Sequence, residues 1–203
     1  MTSSVFGKNN LDIEAIHNNN VDVDQRIIYF SPESDEVDHK SAIQFLKNLD
    51  ILNFLGTDDI TLKIVSNGGD WSYGMAIFDG IKNSKSTVIS ESYGQSVSMS
   101  SVIPQACHKR LISNHCDFMI HYGTYSDSGD FIRVHSALEY TQNLNEKMVK
   151  IYVDRMKNGK FYKEEKMTST KLTKFLKDKL NQKTDWWMSA EESVYYGFMD
   201  EIL

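Results

Sequence analysis

Ile60-Thr61-Leu62-Lys63-Ile64-Val65 runs into Ser66-Asn67-Gly68-Gly69. Behind it, Met75, Ile77, Phe78 and Ile81 carry an apolar helical pattern that leads to a further apolar run, Thr87-Val88-Ile89. The first run is short, β-branched and bounded by turn residues, which predicts a strand. Ser-Asn-Gly-Gly is a strong stop signal. A strand, a sharp turn, a helix and a returning strand within one stretch are the unit from which α/β domains are built.

The alternation continues in both directions. Upstream, Arg26-Ile27-Ile28-Tyr29-Phe30 reads as a buried strand ended by Ser31-Pro32, and residues 36–54 read as a helix with Val37, Ile43, Phe45, Leu46 and Leu49 inward. Downstream, Tyr93-Gly94-Gln95 predicts a turn and Ser98–Cys107 a helix. Short strands are expected at Arg110–Ile112 and Phe118–His121. A long helix is expected over Phe131–Met156, where Tyr140, Leu144, Met148, Tyr152 and Met156 form one drifting stripe suited to a core or a subunit contact. Residues 157–183 hold nine lysines against Glu164, Glu165 and Asp178, with Leu172, Phe175, Leu176 and Leu180 giving an apolar helical face. That pattern is expected to be a solvated surface helix. Asp185-Trp186-Trp187-Met188, a helix from Ala190 and a last strand near Phe198–Ile202 close the chain. The spacing of about 25 residues per unit is too short and irregular for a (β/α)₈ barrel.

The 203 residues suffice for one full core, and 40% hydrophobic with 25% charged residues is ordinary for a globular domain. A net charge of -6 argues against a general grip on nucleic acid. No apolar run reaches the roughly 18 residues of a membrane span. The first twenty residues, with Asp12 and Glu14 and no arginine, resemble neither a secretory signal nor a transit peptide. Residues 1–24 are expected to be a mobile segment and 25–203 the folded domain. Cys107 and Cys116 are the two cysteines, expected to be reduced thiols in a cytoplasmic protein. His115 next to Cys116 finds no second pair to complete a metal site, so no metal is expected.

Three features bear on chemistry. Paired glycines at 68 and 69, between strand and helix, let backbone N–H groups approach a ligand, although turns at such junctions often carry glycine for other reasons. Gly94-Gln95-Ser96-Val97-Ser98-Met99-Ser100 brings small residues from strand to helix. A serine there reads either as an N-cap or as a hydroxyl whose neighbouring amide stabilises an oxyanion. His121 ends an apolar run and reads either as a satisfied core histidine or as a base. A nucleophilic serine needs such a base, and the base needs an orienting carboxylate, for which Asp185 is a candidate. Spacing alone does not bring Ser98, His121 and Asp185 together.

From about Arg26 to Leu203 these residues resemble the ClpP serine peptidases, the proteolytic subunits of the Clp protease. Ser66-Asn67-Gly68-Gly69 is similar to the family's SPGG turn, and Gly74-Met75-Ala76-Ile77-Phe78-Asp79 to its GMAIYD helix. Gly94-Gln95-Ser96-Val97-Ser98-Met99 is similar to its GQAASM nucleophile segment, and Met119-Ile120-His121 to its MIH motif. Met188-Ser189-Ala190-Glu191-Glu192 and Tyr196-Gly197-Phe198-Met199-Asp200 are similar to its LSAPEA…YGLVD ending. The resemblance implies a single-domain α/β ClpP/crotonase-like stack of β-β-α units. A strand–helix handle would protrude at about 122–156, and the lysine-rich 157–183 would be an insertion. It implies Ser98 as nucleophile, His121 as general base, Asp185 as its orienting group, and the backbone amides of Gly69 and Met99 as the oxyanion hole. It also implies no cofactor in this subunit. The subunit would be a homo-oligomer of stacked heptameric rings taking unfolded polypeptides from an AAA+ unfoldase that uses the ATP. Neither nucleic acid nor membrane is an expected partner.

The chain departs from that pattern at named positions. Asn67 stands where the family has proline, and Ser100 where it commonly has glycine. Thr184 stands where many relatives have an arginine tying the two rings, and Thr61 and Lys63 where relatives often show tyrosines in the unfoldase-docking groove. Other readings are a non-catalytic ring subunit, a dedicated processing peptidase such as a viral capsid maturation protease, and a crotonase-type acyl-CoA enzyme. An intact Ser-His-Asp set weighs against the first of these.

Overall fold

In the computed structural model, which describes residues 16–32, 36–124, 126 and 128–203, the run from Ile60 is strand β3 (Ile60–Ser66) in the middle of a sheet. Side by side lie β1 (Val21–Asp22), β2 (Ile27–Phe30), β3, β4 (Val88–Val97), β5 (Lys109–Ile112) and β8 (Glu201–Ile202). A branch leaves this row: β6 (Asp117–His121) pairs with β4, and β7 (Asp185–Met188) pairs with β6. The β1–β2 and β6–β7 pairs are antiparallel and the others parallel. Val21 and Asp22 pair with Ile28 and Ile27, so the sheet begins inside the segment expected to be mobile up to Asp24. Residues 1–15 lie outside the described residues.

The fork is made by β4. Its first half, Ile89–Ser92, pairs with β5, and its second half, Gln95–Val97, pairs with β6. The change falls at Tyr93-Gly94, where the sequence predicts a turn. Gly94 has φ 63°, and the pairing with β3 shifts register between Ile64 and Ser66. A glycine at positive φ lets a strand bend and carry on, so the stop signal becomes a bulge that re-aims the strand. The far end of β4 is thereby turned toward the end of β6.

Helices α1 (His39–Leu55) and α2 (Trp71–Lys82) close over the sheet, burying Phe45, Leu49, Leu52, Ile77 and Ile81 with Ile28, Leu62 and Ile64. Asp38 opens α1 with a capping box to Ser41, and Asp70 opens α2 by accepting from the Ser72 and Tyr73 amides. The helix expected from Ser98 to Cys107 is shorter. Four residues of α3 (Met99–Val102) pass into a 3₁₀ turn, Ile103–Ala106. Pro104 lacks the N–H that another α turn requires.

Helix α4 (Phe131–Met156) matches its expectation, with Asp130 capping through the Arg133 amide. The stretch 122–130 that enters it includes Tyr125 and Asp127, which lie outside the described residues. The predicted stripe divides: Met148, Tyr152 and Met156 are buried, whereas Tyr140 stays 54% exposed. The lysine-rich segment forms α5 (Lys160–Glu164) and α6 (Ser169–Lys183). The apolar face of α6 is buried as its pattern predicts: Leu172, Leu176 and Leu180 join the core, and Lys177 pairs with Glu146 on α4. Phe175 of α6 packs with Phe161, Trp186, Tyr196 and Phe198 as one aromatic group.

Helix α7 (Ala190–Tyr196) starts on a Ser189–Glu192 capping box and stops at Gly197 in the left-handed region. The amides of Phe198 and Met199 both turn back to the Ser193 carbonyl, so the strand expected from Phe198 shrinks to Glu201–Ile202. Arg110, with a side chain only 2% exposed, ties this tail down. Its guanidinium pairs with Asp200 and donates to Gln105 Oε1 at 2.9 Å and to the Gly197 carbonyl at 3.4 Å.

Both cysteines are free and buried. Burial pushes each thiol up to about 12, so the thiolate that reacts is scarce at neutral pH. Iodoacetamide at pH 8 is expected to leave the folded protein unmodified and to label both sites in denaturant, read by intact mass. These thiols ionise in the unfolded chain near pH 8.5 but stay protonated when folded, so the unfolded state binds fewer protons above that pH. Their contribution to stability is therefore full below about pH 8.5 and is lost as pH rises toward 12.

Candidate active site

Ser98 sits at the point where β4 ends and α3 begins, with φ 54° and ψ -124°. Such a conformation is costly for a side-chain-bearing residue and persists only where the surroundings hold it. The Ser98 amide donates to the Met119 carbonyl at 2.9 Å, and Ser101 Oγ donates to the Ser98 carbonyl at 2.6 Å. Ser101 is held in turn by Tyr152 Oη on α4 at 2.7 Å. Burial without a charged partner keeps the Tyr152 phenol well above its ordinary value, so it acts as a neutral hydrogen-bonding group. The Ser98 side chain makes no capping bond. Its Oγ lies 2.7 Å from His121 Nε2 instead.

His121 is the last residue of β6, and the antiparallel register places it directly opposite Asp185, the first residue of β7. Its Nδ1 lies 3.1 Å from Asp185 Oδ1. A carboxylate only accepts, so this contact puts the ring proton on Nδ1 and leaves Nε2 as the acceptor facing Ser98. The His121 side chain is 19% exposed and that of Asp185 48%. Three residues unconnected in sequence thus meet because the sheet fork aligns the ends of β4, β6 and β7.

The third wall is the glycine turn. A Cβ on Gly68 would lie 2.7 Å from Ser98 Cβ and 2.8 Å from the Met99 nitrogen. A Cβ on Gly69 would lie 2.3 Å from the Val37 nitrogen. Both positions have positive φ, 98° and 147°. Only glycine fits there, which explains the pair the sequence carries. Val37 bridges to this turn: its N–H donates to the Gly68 carbonyl and its carbonyl accepts from Asp70. Among the described residues no protein group accepts from the Gly69 or Met99 amide. The cleft above, about 670 Å³, is walled by Asn67–Ser72 on one side and by Tyr140, Leu144 and Met148 of α4 on the other, with Ser98 and His121 at its floor.

The sequence reading named Ser98, His121, Asp185, Gly69 and Met99; Ser98, His121, Gly69 and Met99 line this cleft, and Asp185 meets His121. It missed Gly68 as a packing position, Ser101 and Tyr152 as the support of the Ser98 carbonyl, and Asn145, whose Oδ1 accepts from the Gly123 amide. No local pattern marks the last three, since each acts across the fold. Among the described residues no group of three or more His, Cys, Asp or Glu is placed to hold a metal ion. No helix there is long and apolar enough to cross a membrane.

Comparison with known proteins gives one direction. The family model for the Clp protease matches residues 14–203. The ATP-dependent Clp protease proteolytic subunit of Streptococcus suis is 31% identical over 151 residues, covering 72% of this chain and 69% of that protein. The corresponding subunit of Streptococcus mutans is 32% identical over the same extent. Among solved structures, a ClpP1 mutant from Listeria monocytogenes shares the fold with a TM-score of 0.69. It is 22% identical and covers 89% of this chain and 92% of that one.

Proposed function

The chain belongs to the Clp protease family as a divergent, ClpP-like serine peptidase subunit, and from that premise we propose that it cleaves peptide bonds with Ser98 as nucleophile, His121 as general base and Asp185 as the orienting carboxylate. Ser98 attacks the substrate carbonyl while His121 Nε2 takes the hydroxyl proton. The Gly69 and Met99 amides receive the negative charge that develops on the carbonyl oxygen. His121 returns the proton to the leaving amine, and a water molecule activated by the same imidazole releases the acyl group. The chemistry uses no metal or cofactor in this subunit. The observation that carries the reading is the 2.7 Å contact between Ser98 Oγ and His121 Nε2. Val102, Met119, Leu144 and Met148 line the cleft beside Ser98 and suit an apolar substrate side chain.

The subunit is proposed to work in a homo-oligomeric ring, as two stacked heptamers, receiving unfolded polypeptide from an ATP-driven unfoldase in the cytoplasm. Exposed apolar side chains support a multimer: Phe54 at 89%, Leu55 at 57%, Phe131 at 81% and Ile132 at 79% exposure lie on α1 and α4.

The test is intact-mass labelling with a small fluorophosphonate, beside Ser98→Ala. Stoichiometric labelling, abolished in the variant, is the expected result. An assembled protein that takes no label would instead fit a ring subunit without its own activity.

A further inference from the structure

We propose that Ser100 is a positioning residue for the oxyanion hole, acting through Ser66; the inference deepens the peptidase reading and rests on it. Ser100 is fully buried, and its Oγ donates to Ser66 Oγ at 2.7 Å. Ser66 Oγ also accepts from the Gly68 amide at 3.2 Å. The Ser100 carbonyl is occupied as well, by Ser96 Oγ at 2.7 Å. A continuous hydrogen-bonded path therefore runs beneath the reacting serine, from the residue after Met99 to the residue before Gly69.

Those two neighbours matter because the amides of Met99 and Gly69 sit on different elements. One opens α3, and the other lies in the turn between β3 and α2. The start of α3 is held by Met119 and Ser101, but the glycine turn does not fix itself. Gly68 and Gly69 have no side chains to limit their backbone, and Asn67 lacks the ring that would preset φ. The Gly68–Gly69 peptide is held from one side by the Val37 amide on the Gly68 carbonyl at 2.6 Å. The N–H of the preceding peptide is held by Ser66 Oγ, and Ser66 Oγ is anchored to α3 by Ser100. Removing the Ser100 hydroxyl frees the glycine turn to drift relative to Met99 while leaving Ser98, His121 and Asp185 untouched. An oxyanion hole acts through the fixed placement of its donors around charge that exists only in the transition state. Loss of the bridge should therefore appear in kcat and leave substrate binding alone.

The experiment compares the full-length protein with Ser100→Ala, Ser66→Ala and the double variant, using a fluorogenic peptide and a peptide boronate. The expected result is a kcat lower by about tenfold, a fraction of what deleting a whole donor costs, with KM within about twofold. Boronate affinity should fall by the same factor as kcat, and the pH profile should stay in place. The double variant should lose no more than the larger single loss, because both substitutions break one bridge. Unchanged kcat in Ser100→Ala, a rise in KM alone, or losses that multiply in the double variant would each overturn the proposal. If Ser66→Ala fails to fold, Ser100→Ala decides through the boronate ratio. A wild-type protein that takes no fluorophosphonate sinks the peptidase reading and this inference together. A wild type and a Ser100→Ala variant that label at equal rates sink this inference alone.

Discussion

Asp185→Asn is expected to keep the fold and the assembly while lowering peptide turnover by about 10³–10⁴-fold. The reason is the ring proton of His121. As a carboxylate, Asp185 accepts from Nδ1 across 3.1 Å and so leaves Nε2 free to take the serine proton. An asparagine presents an N–H at the same place. Nδ1 then becomes the acceptor, Nε2 carries the proton, and the 2.7 Å contact to Ser98 Oγ pairs a donor with a donor that must lose its proton. Asp185 is half exposed, so water can partly take the carboxylate's place, which favours the lower part of that range. The backbone pairing of His121 with Asp185 does not use the side chain, so β6–β7 should persist. The measurement is kcat on a fluorogenic peptide, with sedimentation velocity as the assembly control. Turnover within tenfold of wild type would show that Asp185 does not orient the base.

The second large effect is on stability. Asp200→Ala is expected to cost about 3 kcal/mol, at the lower end of what breaking a buried ion pair costs. Arg110 is almost fully enclosed, and the substitution removes its charged partner and the acceptor of its own amide. Gln105 and the Gly197 carbonyl still accept from the guanidinium, and Asp200 is itself one-third exposed, which limits the loss. For a chain of this length the melting temperature should fall by roughly 6–12 °C. The comparison must be made at one protein concentration, since assembly also stabilises. Asp200→Leu combined with Arg110→Met should recover only part of the loss: it strands no charge, but it leaves the residue 110 amide and Gln105 Oε1 without these partners. A shift below about 2 °C for Asp200→Ala would mean that water solvates Arg110 where Asp200 stood.

Much of this protein is legible without a structure, for local reasons. Strand β3, helix α2 and helix α4 follow from apolar periodicity and turn signals that act within a few positions. The reading fails where a local signal has two outcomes. Tyr93-Gly94-Gln95 can end a strand or bend it, and only the two partners waiting on either side, β5 and β6, make it bend. The lysine-rich segment is the counter-case, an amphipathic helix as its pattern predicts, with Leu172, Leu176 and Leu180 buried and Lys171, Lys174 and Lys183 exposed. Ser98 has the composition of an N-cap, and its Oγ is drawn elsewhere by a histidine 23 positions away.

The alternation of strands and helices and the sharp turn at Gly68-Gly69 follow from residue type and short spacing, where sterics and hydrophobic period decide. Ser98, His121, Asp185, Gly69 and Met99 were named through the resemblance to the ClpP peptidases, not by spacing. The tertiary structure decided that β4 forks the sheet, that the β6–β7 register sets His121 against Asp185, and that Ser66 and Ser100 join the two turns beneath the cleft. These depend on contacts between elements far apart in the chain. Their free energies arise only when the whole core packs, so no window of sequence contains them.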